Sequence, residues 1–216
     1  MRRARSARDD GAVLDHLVYA GPDLAAAVAR VADLTGVTPA PGGSHTGLGT
    51  ANHLADLGAG MYLEVIGPDP AQPEPLAPRP FGIDALTEPA LVAWAVRTPD
   101  LDATIAAARA RGFDPGDPRE MSRETAGGET LHWRLTPPTA PGSLRPFLID
   151  WGSTPHPTTR GLPSLPLLMV TGTHPDPASV HRATDALGLE FLVRRSDKTG
   201  LTAALRTPEG RQVALT

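Results

Sequence analysis

The feature that most constrains this chain is a break that occurs three times. Pro22-Asp23, Pro99-Asp100 and Pro175-Asp176 recur roughly 77 residues apart, a period long enough for a small supersecondary module. Each pair ends an apolar stretch. Each is followed by an Ala/Leu-rich segment that stops at a glycine, namely Gly36, Gly112 or Gly188. The chemistry reads the same way each time. Proline ends the strand, Asp caps the first turn of a helix, and glycine takes the left-handed conformation that closes it.

Strands are expected on either side of these helices. In the first third they fall at 13–19 (VLDHLVY), 51–57 and 61–66 (MYLEVI). In the second they fall at 91–97 (LVAWAVR), 130–135 (TLHWRL) and 147–151 (FLIDW). Short ones follow at 167–171, 191–194, 201–206 and 211–215. β-Branched and aromatic content supports these assignments. The glycine-rich stretch 41–50 (PGGSHTGLGT) and the stretch 136–146 read as loops, and the proline-dominated stretch 68–80 as an extended connector. The expected organisation is a flexible tail (1–12), a first βαβββ module (13–70), a connector (71–90), a second module (91–155), a linker (156–165) and a third, shortened module (166–216).

Composition removes several function classes. With 216 residues, 40% of them hydrophobic, the chain can bury a core. There is no cysteine, which excludes disulfides, thiolate catalysis and zinc–sulfur sites. The net charge of −4 gives no reason to expect nucleic acid. Arg2, Arg3, Arg5 and Arg8 are followed at once by Asp9 and Asp10, as in a solvated tail. No apolar run reaches the about 20 residues of a membrane span, and no apolar segment follows the basic start, so a cytoplasmic protein is expected. No GxSxG elbow occurs. Gly47 and Gly49 lack the third glycine of a dinucleotide fingerprint, and no lysine follows them as in a phosphate loop.

Three segments carry a resemblance. LDHLVYAGPDL, GGSHTGLGTANHLADLGAGMYLEVIGPDP and RPFLIDWGSTPHP resemble the glyoxalase-like branch of the vicinal-oxygen-chelate superfamily, over most of the chain from Val13 onward. The resemblance implies an α+β fold in which two βαβββ modules form a cupped, incomplete barrel with helices outside. Members include isomerases, epimerases, ring-cleaving dioxygenases, thiol transferases and metal-free binding proteins, and many hold a divalent metal. The family's ligand positions in the first module are filled by His16 and Glu64, a pair suited to Zn²⁺, Fe²⁺, Mn²⁺ or Ni²⁺. In the second module Ala93 stands opposite His16, and Ile149 or Asp150 stands at the Glu64 position; in the third, Met169 replaces the histidine. Asp150, His132 or His45 would have to complete a metal shell.

The remaining candidates come from the residues themselves. His132 and Arg134 share one face of a strand, where they would offer a proton donor and an anion clamp if they face the barrel. Trp133 lies on the other face and is carried as a substrate contact. Asp150 is either a substrate contact or an ion-pair partner of Arg134, and His45 sits in a glycine-rich segment able to close over a ligand. Trp151 reads as packing, and His156, His174 and His181 as surface or capping residues. Two functions follow. One is a lyase, isomerase or dioxygenase, with Glu64, His132 and Arg134 catalytic and His45, Trp133 and Asp150 contacting substrate. The other is a metal-free small-molecule binding or resistance protein with no cofactor. The expected partner is a small molecule, with no nucleic acid and no membrane. A homodimer is a further expectation, since the third module must cover its apolar strands.

Overall fold

The two Pro-Asp breaks nearest the N-terminus do what their chemistry dictates. In this computed structural model, which describes residues 11–125, 127–138 and 144–216, Asp23 Oδ1 accepts from the Ala26 amide at 3.0 Å and Asp100 Oδ1 from the Ala103 amide at 2.9 Å. Gly36 closes the first helix with φ 74°, its amide bonded to the Ala32 carbonyl. The arginine-rich start (1–10) and the middle of the 136–146 stretch (139–143) lie outside the described residues.

The first module runs β1 (Val13–Ala20), α1 (Leu24–Thr35), β2 (Ala40–His45), β3 (Thr50–Gly58) and β4 (Met61–Pro68). The second runs β5 (Ala90–Arg97), α2 (Leu101–Ala110), β6 (Arg119–Thr125), β7 (Thr130–Leu135) and β8 (Phe147–Asp150). In each, the first strand lies parallel to the last: β1 beside β4 and β5 beside β8. The modules join through antiparallel β1–β5 on one side. On the other side β2 meets β6 through Gly43 with Thr125 and Ser44 with Glu124. The cupped sheet therefore curls until its edges meet, and the eight strands close a barrel.

Closure turns the first part of the 41–50 stretch into strand and leaves 46–49 as the expected turn. Residues 40–45 are strand β2, not loop. Gly43 has φ 146°, and a Cβ there would overlap the Glu124 carbonyl of β6. Glycine is present because two backbones must approach at the seam, the usual meaning of glycine inside a strand. β6 does not show in the sequence pattern either, because two of its three inward side chains are arginines.

Period-two alternation then sorts the side chains. Leu17, Leu63, Val65 and Leu148 point outward under the helices, and Val18, Ile66, Phe147 and Ile149 inward. The third unit has β9 (Leu167–His174), α3 (Pro177–Ala186), β10 (Leu192–Arg195), β11 (Gly200–Arg206) and β12 (Gln212–Leu215). It repeats the order of elements but not of strands: its first strand lies inside the sheet, in the order β10-β9-β11-β12. Asp176 makes no side-chain cap. This sheet packs on the outside of the barrel, where Phe191 stacks on Trp94 at 4.7 Å between ring centres. No helix among the described residues is long and apolar enough to cross a membrane.

Candidate functional site

The barrel encloses a cavity of about 340 Å³, at the small end of ligand sites. Its two halves differ in character. The first module supplies His16, His45, Asn52, Tyr62 and Glu64, whereas the second supplies Trp133, Leu135, Phe147, Ile149 and Trp151. Arg123 of β6 adds a cation beside the polar half. The proline-rich connector lies over the opening, with Pro78, Pro80 and Phe81 in the cavity wall. Arg79 braces the connector internally by ion pairs to Glu74 and Asp84, both at 2.7 Å, and attaches it to the β2–β3 turn by a hydrogen bond to the Gly49 carbonyl at 3.0 Å.

Glu64 is the centre of the polar wall and is buried, at 7% exposure. A carboxylate in such a place is costly unless it is hydrogen-bonded. Asn52 Nδ2 donates to its Oε1 at 2.6 Å, and the Asn52 Oδ1 in turn accepts from Arg123 Nη1 at 3.1 Å. Oε2 accepts no hydrogen bond from a described residue. Two imidazoles flank the carboxylate, with His16 Nε2 3.8 Å from Oε2 and His45 Nε2 3.8 Å from Oε1. At this distance they are close contacts rather than hydrogen bonds.

Both rings are held from behind. His16 Nδ1 donates to Asp15 Oδ1 at 2.6 Å, and since a carboxylate only accepts, the proton sits on Nδ1. His45 Nδ1 meets Thr50 Oγ1 at 3.1 Å. Asp15 reaches His16 because the β1–β5 register slips between Leu14 and His16; such a bulge re-aims neighbouring side chains. Asp15 is fully buried and also accepts from His156 Nε2 at 3.0 Å and Trp151 Nε1 at 3.2 Å. Burial by itself raises its carboxyl pKa. The hydrogen bonds from His156 and His16 outweigh that and hold it well below the usual carboxylate range. Burial also pushes the His45 imidazole down, against the pull of Glu64, so this ring favours its neutral form. Burial pushes the Tyr62 hydroxyl well up, and it stays protonated.

The structure divides the sequence candidates. His16, Glu64, His45 and Trp133 all line the cavity. His132 and Arg134 do not. Trp133 takes the inward position on β7, so its neighbours face out by alternation. His132 is exposed, and Arg134 makes a two-pronged pair with Asp102 of α2, both bonds 2.9 Å. Asp150 lies outside the cavity wall and accepts from the Gly152 amide at 2.8 Å, fixing a turn. Trp151 and His156, read as packing and surface, instead lie at or behind the site. Asn52, Tyr62, Arg123 and Phe147 were missed. Tyr62 and Glu64 alternate within MYLEVI, and that parity was the available signal. Arg123 gave none while β6 went unrecognised.

A metal fits these residues poorly. The second-module counterpart of His16 is Ala93, and the strand registers place Phe147, rather than Ile149 or Asp150, at the Glu64 position; Glu64 Oε1 already receives Asn52. Among the described residues no group of three or more His, Asp or Glu is arranged to hold a metal ion.

A superposition with one solved structure supports the fold. A hypothetical protein from Staphylococcus aureus superposes with a TM-score of 0.62 at 14% identity, covering 94% of this chain and 98% of that one. Methylmalonyl-CoA epimerase from Mycobacterium tuberculosis aligns at 19% identity with a TM-score of 0.39, over 63% of this chain and 86% of that one. No curated protein matches the chain. The two paired modules stand together with a match of residues 14–188 to the glyoxalase-like domain, and the chain belongs to that glyoxalase-like family of the vicinal-oxygen-chelate superfamily.

Proposed function

We propose that the barrel cavity is an active site that moves a proton on a small molecule, in an isomerase or lyase type of reaction, with Glu64 as the base. The observation that supports this reading is a buried carboxylate with one oxygen fixed by Asn52 and the other open to the cavity, between two imidazoles held by their far nitrogens. A base of this kind acts on an acidic hydrogen next to a carbonyl group. Asn52 holds the carboxylate in place, so little reorganisation is needed at the moment of transfer. Asp15 fixes the His16 ring so that Nε2 faces the carboxylate, and Thr50 does the same for His45. Either ring can then carry a hydrogen bond to substrate or take the proton onward. Phe147, Trp133 and Trp151 keep water from the reacting atoms.

The superfamily's frequent use of divalent metals, and the His16–Glu64 pair at its ligand positions, suggested a metal site. The donor set is incomplete, and no step here is assigned to a metal. The cavity's largely apolar wall favours a second reading, a metal-free binding protein that sequesters its ligand without turnover.

Proton NMR in D₂O of a panel of small carbonyl compounds separates the two. The expected result is protein-dependent exchange of hydrogens next to the carbonyl, lowered at least about 100-fold by Glu64→Gln, with the fold retained because the amide is nearly isosteric. Tight binding without exchange in wild type puts the binding-protein reading in front. Melting temperatures with Zn²⁺, Mn²⁺ or Ni²⁺ are expected to be unchanged. A metal-dependent rise that Glu64→Gln removes would restore the metal site, since a ligand of the native state raises its stability.

A further inference from the structure

The cavity holds a charge that proton transfer by Glu64 does not use. Arg123 is 3% exposed, and the one hydrogen bond of its side chain among the described residues goes to the neutral Asn52 side chain. Glu64 acts on it through space, and no described carboxylate forms an ion pair with it. A guanidinium has five N–H donors. No buried side-chain nitrogen among the described residues lacks a partner, so the unused donors of Arg123 are those that reach the cavity it lines. A cation taken out of bulk water with one neutral acceptor is costly until an anion meets it. The planar fork matches a carboxylate in particular.

Two further observations define the ligand. β6 repeats the charge at the exposed end of the same face, where Arg119, Met121 and Arg123 alternate into the cavity; in a chain of net charge −4 this is a local reversal. The other walls hold two aromatic pairs, Trp133 with Trp151 at 5.3 Å and Phe81 with Phe147 at 5.9 Å between ring centres. Asn52 also bridges the basic and acidic seats, donating to Glu64 and accepting from Arg123. The two seats are therefore one side chain apart.

We propose that the ligand is a small organic acid with an apolar, ring-bearing body, its carboxylate on Arg123, its ring among the aromatic pairs, and its reacting carbon close to the carboxylate and facing Glu64. This rests on the cavity being the active site, although proton transfer alone does not require an anionic substrate.

The test is fluorescence titration of the intact protein, two of whose three tryptophans line the cavity, with 3-phenylpropionate and with 3-phenylpropionamide. The acid is expected to bind at least about tenfold tighter, as a charge-assisted pair implies. Arg123→Gln is expected to reduce the acid to the level of the amide while leaving the amide little changed. Equal or tighter binding of the amide by wild type, binding of neither, or a preference that survives Arg123→Gln in a folded variant overturns the proposal. If the variant does not fold, the wild-type comparison decides by itself. Glu64→Gln is expected to keep or raise the preference for the acid. Exchange that depends on Glu64 without any acid preference overturns this inference and leaves the proton-transfer reading standing. Acid preference without exchange does the reverse.

Discussion

Asp15 shows how one residue can set the chemistry of its neighbours. It touches His16, His156 and Trp151 at once, tying β1 to the segment that follows β8. Its carboxyl pKa is depressed in the folded state, chiefly because hydrogen bonds from His156 and His16 overcome the effect of burial. The sign of the linkage follows. The stabilisation is fully present above the unfolded value of about 3.9 and is lost as pH falls below it toward the folded value. Asp15→Asn is therefore expected to cost about 1–3 kcal/mol at neutral pH and to flatten the acid limb of stability, as urea unfolding from neutral pH down to about pH 2 would show. An acid limb as steep in the variant as in wild type would place the linkage elsewhere.

At the scale of the element, the barrel depends on the shorter of the two joins between its modules. β2 and β6 pair through two residue pairs, and Gly43 lets them approach. Gly43→Ala places a side chain against the Glu124 carbonyl at a φ that L-residues rarely adopt. The expected cost is about 1–3 kcal/mol, read as a lower urea midpoint. Gly42 matters to the site in another way, since a Cβ there would crowd Asn52 and Arg123. β6 also shows why a strand can hide from its sequence. REMSRET turns Arg119, Met121 and Arg123 inward because they face a cavity, and such a pattern looks like a polar loop. By contrast MYLEVI, with an apolar residue on both sides of Glu64, reads as strand at once.

At the scale of the whole molecule, the third unit completes the outer core rather than the site. Phe191 covers Trp94, whose indole N–H donates to the Leu144 carbonyl at 2.8 Å. Val180, Ala183 and Leu205 belong to the same apolar cluster as Leu17 and Leu148 of the barrel. Phe191→Ala is expected to cost about 3–5 kcal/mol, with ligand binding in the still-folded fraction unchanged. A small loss in calorimetry would mean that the sheet docks loosely. The like-for-like superposition with the Staphylococcus aureus protein, over 94% of this chain, extends past the two barrel modules into this unit.

The sequence by itself determined what is local. Asp caps, closing glycines and strand stops act within a few residues, so the helices and most of the strands were legible without coordinates, while the His16–Glu64 pair was implied by the family resemblance. Tertiary structure decided everything that depends on which face turns inward and which edges meet. A slip of one residue reverses a strand's faces, and so Trp133 entered the cavity while His132 and Arg134 went to the surface. The closure at Gly43, the placing of Arg123 behind Asn52, and the different strand order of the third sheet are likewise long-range. Their energies come from contacts between segments far apart in the chain, and no local pattern carries them.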